Sequence, residues 1–253
     1  MRLRQIALIA GDLEPIAEQL SKVFGINVGF RDPGVEYFGL NNVVCPVGGE
    51  FLEVVAPFRE DASGARYLKR RGGDAGYMVI LQADDALAHR ARLEKEGVRL
   101  IATSRHPGYQ YTHFHPGDCA GVLLSIDSVD AGDFRDPQGE WPPAGPAWRE
   151  HQSADALGIL SVSIQAKDPV AAAERWAMLL DRPAIRDGEV MEIALEPGTI
   201  RFVPAVDEDG TGVVALEVKV RDPADPIANA RVAGVTTDGD TVTICGVRIT
   251  PVA

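Results

Sequence analysis

The 253-residue chain is 45% hydrophobic and carries a formal net charge of -12, enough length to bury one large core or two small ones. Its acidic residues are scattered and it has no basic footprint for nucleic acid or an anionic membrane; no apolar run approaches the about 20 residues that cross a bilayer. Three widely separated cysteines, Cys45, Cys119 and Cys245, lack Cys-x-x-Cys spacing, which points to buried, reduced thiols in a cytoplasmic protein.

The opening stretch MRLRQIALIAGDL runs directly into a helical pattern, so it reads as a first strand rather than a signal peptide. Leu13, Ile16, Ala17, Leu20, Val23 and Phe24 recur at helical spacing until Gly25 stops them. Three extended pieces follow, NVGFRD, YFGLNNVVCPV and FLEVVAP, separated by Gly, Pro and Asn. The same order then returns. YMVILQA is a strand, Asp84 or Asp85 caps a helix through ALAHRARLEKEGV, and RLIATSR, YQYTHFHP and GVLLSIDS are three strands.

Residues 131–154 break this rhythm with prolines, glycines and little periodicity, and read as an ordered linker. Trp141 and Trp148 are expected to pack against a domain, because a free linker seldom carries two tryptophans. Beyond it, LSVSIQA, a helix DPVAAAERWAMLL and the strands PAIRDG, EVMEIAL and TIRFVPA form a third unit. VVALEVKV, a helix near DPIANARVAGV, TVTICG and VRITPV form a shortened fourth. The repeat implies an α+β fold of four strand-helix-three-strand (βαβββ) modules. They pair into two domains, residues 1–130 and 155–253, each with a curved mixed sheet whose concave face lines a cavity.

Four such modules, with the phrases ALIAGDLEPIAEQL, FLEVVAP, VILQADDALAHRARLEKEGVRL and HPGDCAGVLLSID, resemble the vicinal oxygen chelate superfamily. That group includes glyoxalase I, methylmalonyl-CoA epimerase, the bleomycin- and fosfomycin-resistance proteins and extradiol dioxygenases. The resemblance covers residues 1–130 well and 155–253 more loosely, and it implies two glyoxalase-like domains.

Enzymes of the superfamily hold a divalent metal in a cup, with one ligand on the first and one on the last strand of each module. Carried over by position, the set here is Gln5, Glu53, Met78 and Ser125. A thioether and a neutral hydroxyl are poor donors for such ions, so no resident metal is expected and these residues become candidate ligand contacts. Glu53 is the most informative, because a charge in an apolar strand costs free energy unless it is paired or ligating. The same count in the second domain gives Ser161, Arg201, Ala215 and Thr250, which implies a degenerate cup.

On YQYTHFHP, alternation puts Tyr109, Tyr111, His113 and His115 on one face. Glu53, His113 and His115 are therefore candidate proton-transfer residues, with a relocated two-histidine, one-carboxylate metal site as the alternative. Arg66, Arg70 and Arg105 are candidate anion stabilisers by their place in the sequence. The reading that combines these features is a cup that binds a small organic molecule, with lyase, isomerase or epimerase chemistry. A non-catalytic binding protein of the antibiotic-resistance kind is the alternative. An extradiol-dioxygenase-like metalloenzyme is a third class, against which the missing histidine ligands count. The expected partner is a small molecule, without nucleic acid or membrane, and the chain is a monomer or a homodimer.

Overall fold

The computed structural model describes residues 1–106, 108–206 and 210–253, the side chains of Arg105 and His106 excepted. The first sheet is built from β1 (Arg2–Ile9), β2 (Leu40–Val47), β3 (Glu50–Pro57), β4 (Ala75–Gln82), β5 (Leu100–His106), β6 (Tyr109–Phe114) and β7 (Leu123–Val129). Its order is β2-β3-β1-β4-β7-β6-β5. The second contains β8 (Ala156–Ala166), β9 (Ile185–Asp187), β10 (Val190–Ala194), β11 (Thr199–Pro204), β12 (Gly212–Val220), β13 (Thr237–Asp238), β14 (Thr241–Ile244) and β15 (Val247–Val252). Its order is β13-β14-β15-β12-β8-β11-β10-β9. In each sheet the first strands of two modules lie antiparallel at the centre, β1 on β4 and β8 on β12. Each is flanked by the last strand of its own module in parallel. The fold is thus the expected α+β pair of curved mixed sheets.

The helices are α1 (Leu13–Phe24), α2 (Ser63–Arg71), α3 (Ala86–Lys95), α4 (Pro169–Leu180) and α5 (Ala224–Ala233). Asp12, Asp85 and Asp168 cap α1, α3 and α4 by accepting from backbone N–H groups of the first turn. None of the described helices is long and apolar enough to cross a membrane.

Two local expectations are corrected and one element is added. NVGFRD is not a strand. Only Phe30 bridges Val44, because Asp32 accepts from the Gly34 N–H and Pro33 starts a 3-10 turn, Pro33–Phe38, in place of a ladder. The last module is not short of a strand, since Thr237–Asp238 supplies a two-residue third one. Helix α2, between the first two modules, has no counterpart in the repeat.

One core joins the two sheets. Ile6, Leu8, Val54, Val79, Leu81, Leu124 and Ile126 of the first belong to the same buried cluster as Val162, Ile164, Ile200, Phe202, Leu216 and Ile249 of the second. At Gly76 of β4 a side chain would strike the Val213 carbonyl of β12, so only glycine lets the two central strands approach this closely. The Trp176 indole of α4 donates to the Cys119 carbonyl at 3.0 Å across the same boundary. Because this core consumes one face of each sheet, alternation turns Gln5, Ala7, Phe51, Glu53, Met78, Ser125 and Asp127 to the other face of the first sheet.

Candidate functional site

That face is a cup with a closed polar centre. Glu53 on β3 is 6% exposed, and both its carboxylate oxygens accept from amides: Oε2 from Gln5 Nε2 at 2.8 Å and Oε1 from Asn42 Nδ2 at 2.6 Å. Each amide is fixed at its other end. Trp141 Nε1 donates to Gln5 Oε1 at 2.7 Å, and the Asp32 backbone N–H donates to Asn42 Oδ1 at 2.8 Å. Burial pushes the Glu53 carboxyl above its usual range and the nearby Asp32 adds to this, while the two amides act against it.

A second acid lies on β7. Asp127 is buried, and accepts from the Ser125 hydroxyl and from the Tyr109 hydroxyl, the latter at 2.7 Å. Burial pushes its carboxyl up to about 7. Tyr109 is pushed well above its ordinary value by burial and by the Asp127 charge, so it remains a neutral donor.

Rings line the β6 wall in a continuous row. Phe38 lies 5.7 Å from His113, His113 4.7 Å from Tyr111, Tyr111 6.1 Å from Tyr109, and Tyr109 5.6 Å from Trp141. Between Phe38 and Tyr111, burial lowers the His113 imidazole to about 4, so it is neutral at physiological pH. Met78 packs with Ala7, Phe51, Ile80, Trp141 and Trp148 as the apolar floor. From the side of α2, Tyr67 meets Tyr77 edge-on at 5.1 Å and donates to the Gly76 carbonyl at 2.7 Å. A cleft of about 480 Å³, with Asp12, Arg31, Asp32 and Glu36 among its walls, adjoins Asn42.

The linker closes one end of the cup. Trp141 and Trp148 are each 1% exposed and meet Phe51 with ring centroids at 6.4 and 5.0 Å. The Arg4 guanidinium sits over all three rings at 5.0 to 5.9 Å and donates to the Gly139 carbonyl at 2.8 Å. Burial and the neighbouring Arg2 lower Arg4 to about 9.

The site therefore brings together Gln5, Glu53, Met78, Tyr109, Tyr111, His113 and Ser125, and it separates His115 from them. Pro116 ends β6, so the alternation stops at Phe114 and His115 instead caps the 3-10 turn Pro116–Asp118. Its Nδ1 accepts from the Gly117 N–H at 3.1 Å. The relocated Glu53, His113 and His115 set is accordingly not assembled. Nor do the positions carried over by resemblance fit a divalent metal. The Gln5 oxygen is committed to Trp141, the Ser125 hydroxyl to Asp127 and the Thr112 carbonyl, and Met78 to the apolar floor. Among the described residues no group of three or more His, Cys, Asp or Glu side chains is placed to hold a metal. Arg66 donates to the Asp61 carbonyl and Arg70 lies over the Tyr67 ring at 5.0 Å, while the Arg105 side chain lies outside the described residues. In the second sheet Arg201 stands where the first has Glu53. It is held by Glu192 at 2.7 Å, Glu217 at 2.5 Å and Ser161 at 3.0 Å, so that cup is internally paired.

A family model described as a glyoxalase-like domain matches residues 6–180, more than half of the chain. The chain belongs to the glyoxalase-like domain family. This places it in the vicinal oxygen chelate superfamily, as the four modules imply. The mitochondrial methylmalonyl-CoA epimerase of Bos taurus is 26% identical over 131 residues, which are 51% of this chain and 74% of that protein. An ethylmalonyl-CoA/methylmalonyl-CoA epimerase of Cereibacter sphaeroides is 24% identical over 132 residues, 51% of this chain and 98% of that one. A mutant of 4-hydroxymandelate synthase from Streptomyces coelicolor superposes on 92% of this chain and 75% of its own with a TM-score of 0.69 at 17% identity, a likeness of fold.

Three residues of the glyoxalase-like cup escape the sequence reading. Asp127 shares its face with Ser125, and extending the alternation of GVLLSID by one step would have found it. Asn42 lies on the edge strand, with nothing in sequence to tie it to Glu53. Trp141 enters the site by a hydrogen bond that only the fold reveals.

The two perturbed groups give opposite pH dependences. Folded Asp127 keeps its proton up to about 7 and the unfolded group releases it near 3.8, so its contribution to stability is present at low pH and is lost as pH rises through that window. Unfolded His113 takes a proton below 6.5 that the folded ring refuses until about 4, so its contribution is lost as pH falls through that window. Asp127→Asn, which removes the first slope alone, should gain stability relative to the wild type as pH rises from about 4 to 7. Urea midpoints across that range test this, and a constant difference would contradict it.

Proposed function

We propose that the N-terminal cup binds a small organic molecule without a resident divalent metal, and that Glu53 is the fixed hydrogen-bond acceptor of that ligand. The observation that carries this reading is the pair of oppositely placed amides on Glu53. An ionised carboxylate has about four acceptor sites; Gln5 and Asn42 occupy two, and the others are left for a donor on the ligand. The half-buried Tyr77, Tyr111 and His113 and the Phe38 ring supply faces for an apolar or aromatic body. The neutral His113 adds a polar contact without charge.

A thermal-shift screen of thioesters, keto acids and antibiotics in the presence of a chelator tests this reading. A ligand at about 100 times its Kd adds about 2.7 kcal/mol to stability, a shift that the chelator should leave intact and Glu53→Gln should reduce. Stabilisation that appears only after a metal is added would overturn it.

A second reading, proton exchange on a carbon acid, is favoured by Asp127. A carboxyl that titrates near 7 is matched to general acid-base work at neutral pH, and the epimerase relatives are named for an activity of that class. Incubation of thioesters in deuterium oxide, followed by proton NMR, should show loss of the α-proton signal that Asp127→Asn slows. Retention of the signal across the panel would overturn this second reading.

A further inference from the structure

We propose that Trp141, a residue of the segment between the domains, is a positioning residue of the N-terminal cup: by donating to Gln5 it fixes the amide that presents Glu53 to the ligand. The inference rests on the reading of the cup as a ligand site. An indole N–H donates and never accepts, so the group facing it at 2.7 Å must be the Gln5 oxygen. The Gln5 NH2 is then directed at Glu53 Oε2, 2.8 Å away. Without that lock a glutamine amide can turn over and set its oxygen against the carboxylate. On the opposite side Asn42 is locked in the same way by a group that only donates, the Asp32 N–H. Two amides, each fixed at the oxygen end, present both NH2 groups to the Glu53 oxygens and so favour its ionised form.

The segment that carries Trp141 is itself anchored. Arg4 donates to the Gly139 carbonyl at 2.8 Å, Arg149 donates to the Gln138 carbonyl at 2.9 Å, and the Trp141 ring is stacked on Phe51. The same ring lies edge-on to Tyr109 at 5.6 Å, and Tyr109 donates to Asp127. One side chain from outside the repeated modules thus touches the support of both cup acids.

The test uses the full chain with 13C in the glutamate carboxyls and 15N in the indoles. In the wild type the Trp141 indole resonance should shift with pH at the same midpoint as the Glu53 carboxyl carbon. The Trp148 indole, whose Nε1 has no hydrogen-bond partner among the described residues, supplies the reference. Trp141→Phe keeps a ring and deletes the donor. It should raise the Glu53 midpoint by about one pH unit and weaken ligand binding about tenfold, with the far-ultraviolet circular dichroism unchanged. An unmoved Glu53 midpoint in Trp141→Phe, or a wild-type indole resonance blind to that titration, overturns the proposal. If Trp141→Phe does not fold, the wild-type titration decides alone. Failure of the wild type to bind any compound of the screen overturns the ligand reading instead, and the Glu53 midpoint still reports on Trp141.

Discussion

Arg2→Met is expected to lower the stability of the chain by about 3 to 5 kcal/mol, the usual loss when one partner of a buried ion pair is removed. Arg2 is fully buried, and its guanidinium meets Glu50 at 2.5 Å and donates to the Gly49 and Asp136 carbonyls at 3.0 and 3.1 Å. Glu50 in turn accepts from the Ile159 N–H of β8 at 3.2 Å. One pair therefore ties the first sheet to the linker and to the second sheet. Burial already pushes the Glu50 carboxyl up, with Arg2 as the main opposing influence. In Arg2→Met the folded group holds its proton more tightly still. The loss should be greatest at neutral pH and shrink on acidification, because an acid with a raised folded value gains stability as pH falls. The double variant Arg2→Met, Glu50→Gln should recover part of the loss, since the Glu50 carboxylate is no longer buried without its partner. Urea unfolding measures all three. A loss below about 1 kcal/mol in Arg2→Met would place this pair with exposed ones and contradict the account of how the linker is held.

Glu53→Gln is the second large effect, and it falls on binding. The replacement amide must place its NH2 against that of Gln5 or Asn42. Neither neighbour is free to turn over, because Trp141 and the Asp32 N–H hold their oxygens. The variant therefore loses a hydrogen bond within the cup and the charged acceptor offered to the ligand. Hydrogen bonds to charged groups are worth about 1.5 to 3 kcal/mol, which corresponds to a loss of about tenfold to a hundredfold in ligand affinity. Titration calorimetry on a compound found in the screen reads this directly. An affinity within about twofold of the wild type would show that the ligand does not use Glu53.

Much of this architecture is legible in the sequence because repetition and alternation are local and periodic. Glu53 reads as a cup residue from its charge in the apolar FLEVVAP together with the superfamily resemblance, and Tyr109, Tyr111 and His113 follow from period two on β6. Alternation fails at His115, where Pro116 removes a backbone donor and the chain enters a turn. It fails at NVGFRD for a related reason, since Pro33 and the Asp32 cap favour a 3-10 turn. What the sequence withholds are the contacts between distant segments. Trp141 meets Gln5 across 136 positions, and Arg2 meets Asp136 across 134. Such pairs are set by how modules and linker dock, which no local period encodes. Helix α2 is also absent from the repeat pattern, and it brings Tyr67 against the cup residue Tyr77.

On the proposed reading, the amides of Gln5 and Asn42 hold Glu53 without a resident metal. Titration calorimetry of chelator-treated, tag-free protein with Zn2+, Mn2+ and Fe2+ tests it most directly. No saturable one-to-one binding that depends on Glu53 is expected, so wild type and Glu53→Gln should give the same weak heats. A stoichiometric site in the wild type that Glu53→Gln abolishes would contradict it.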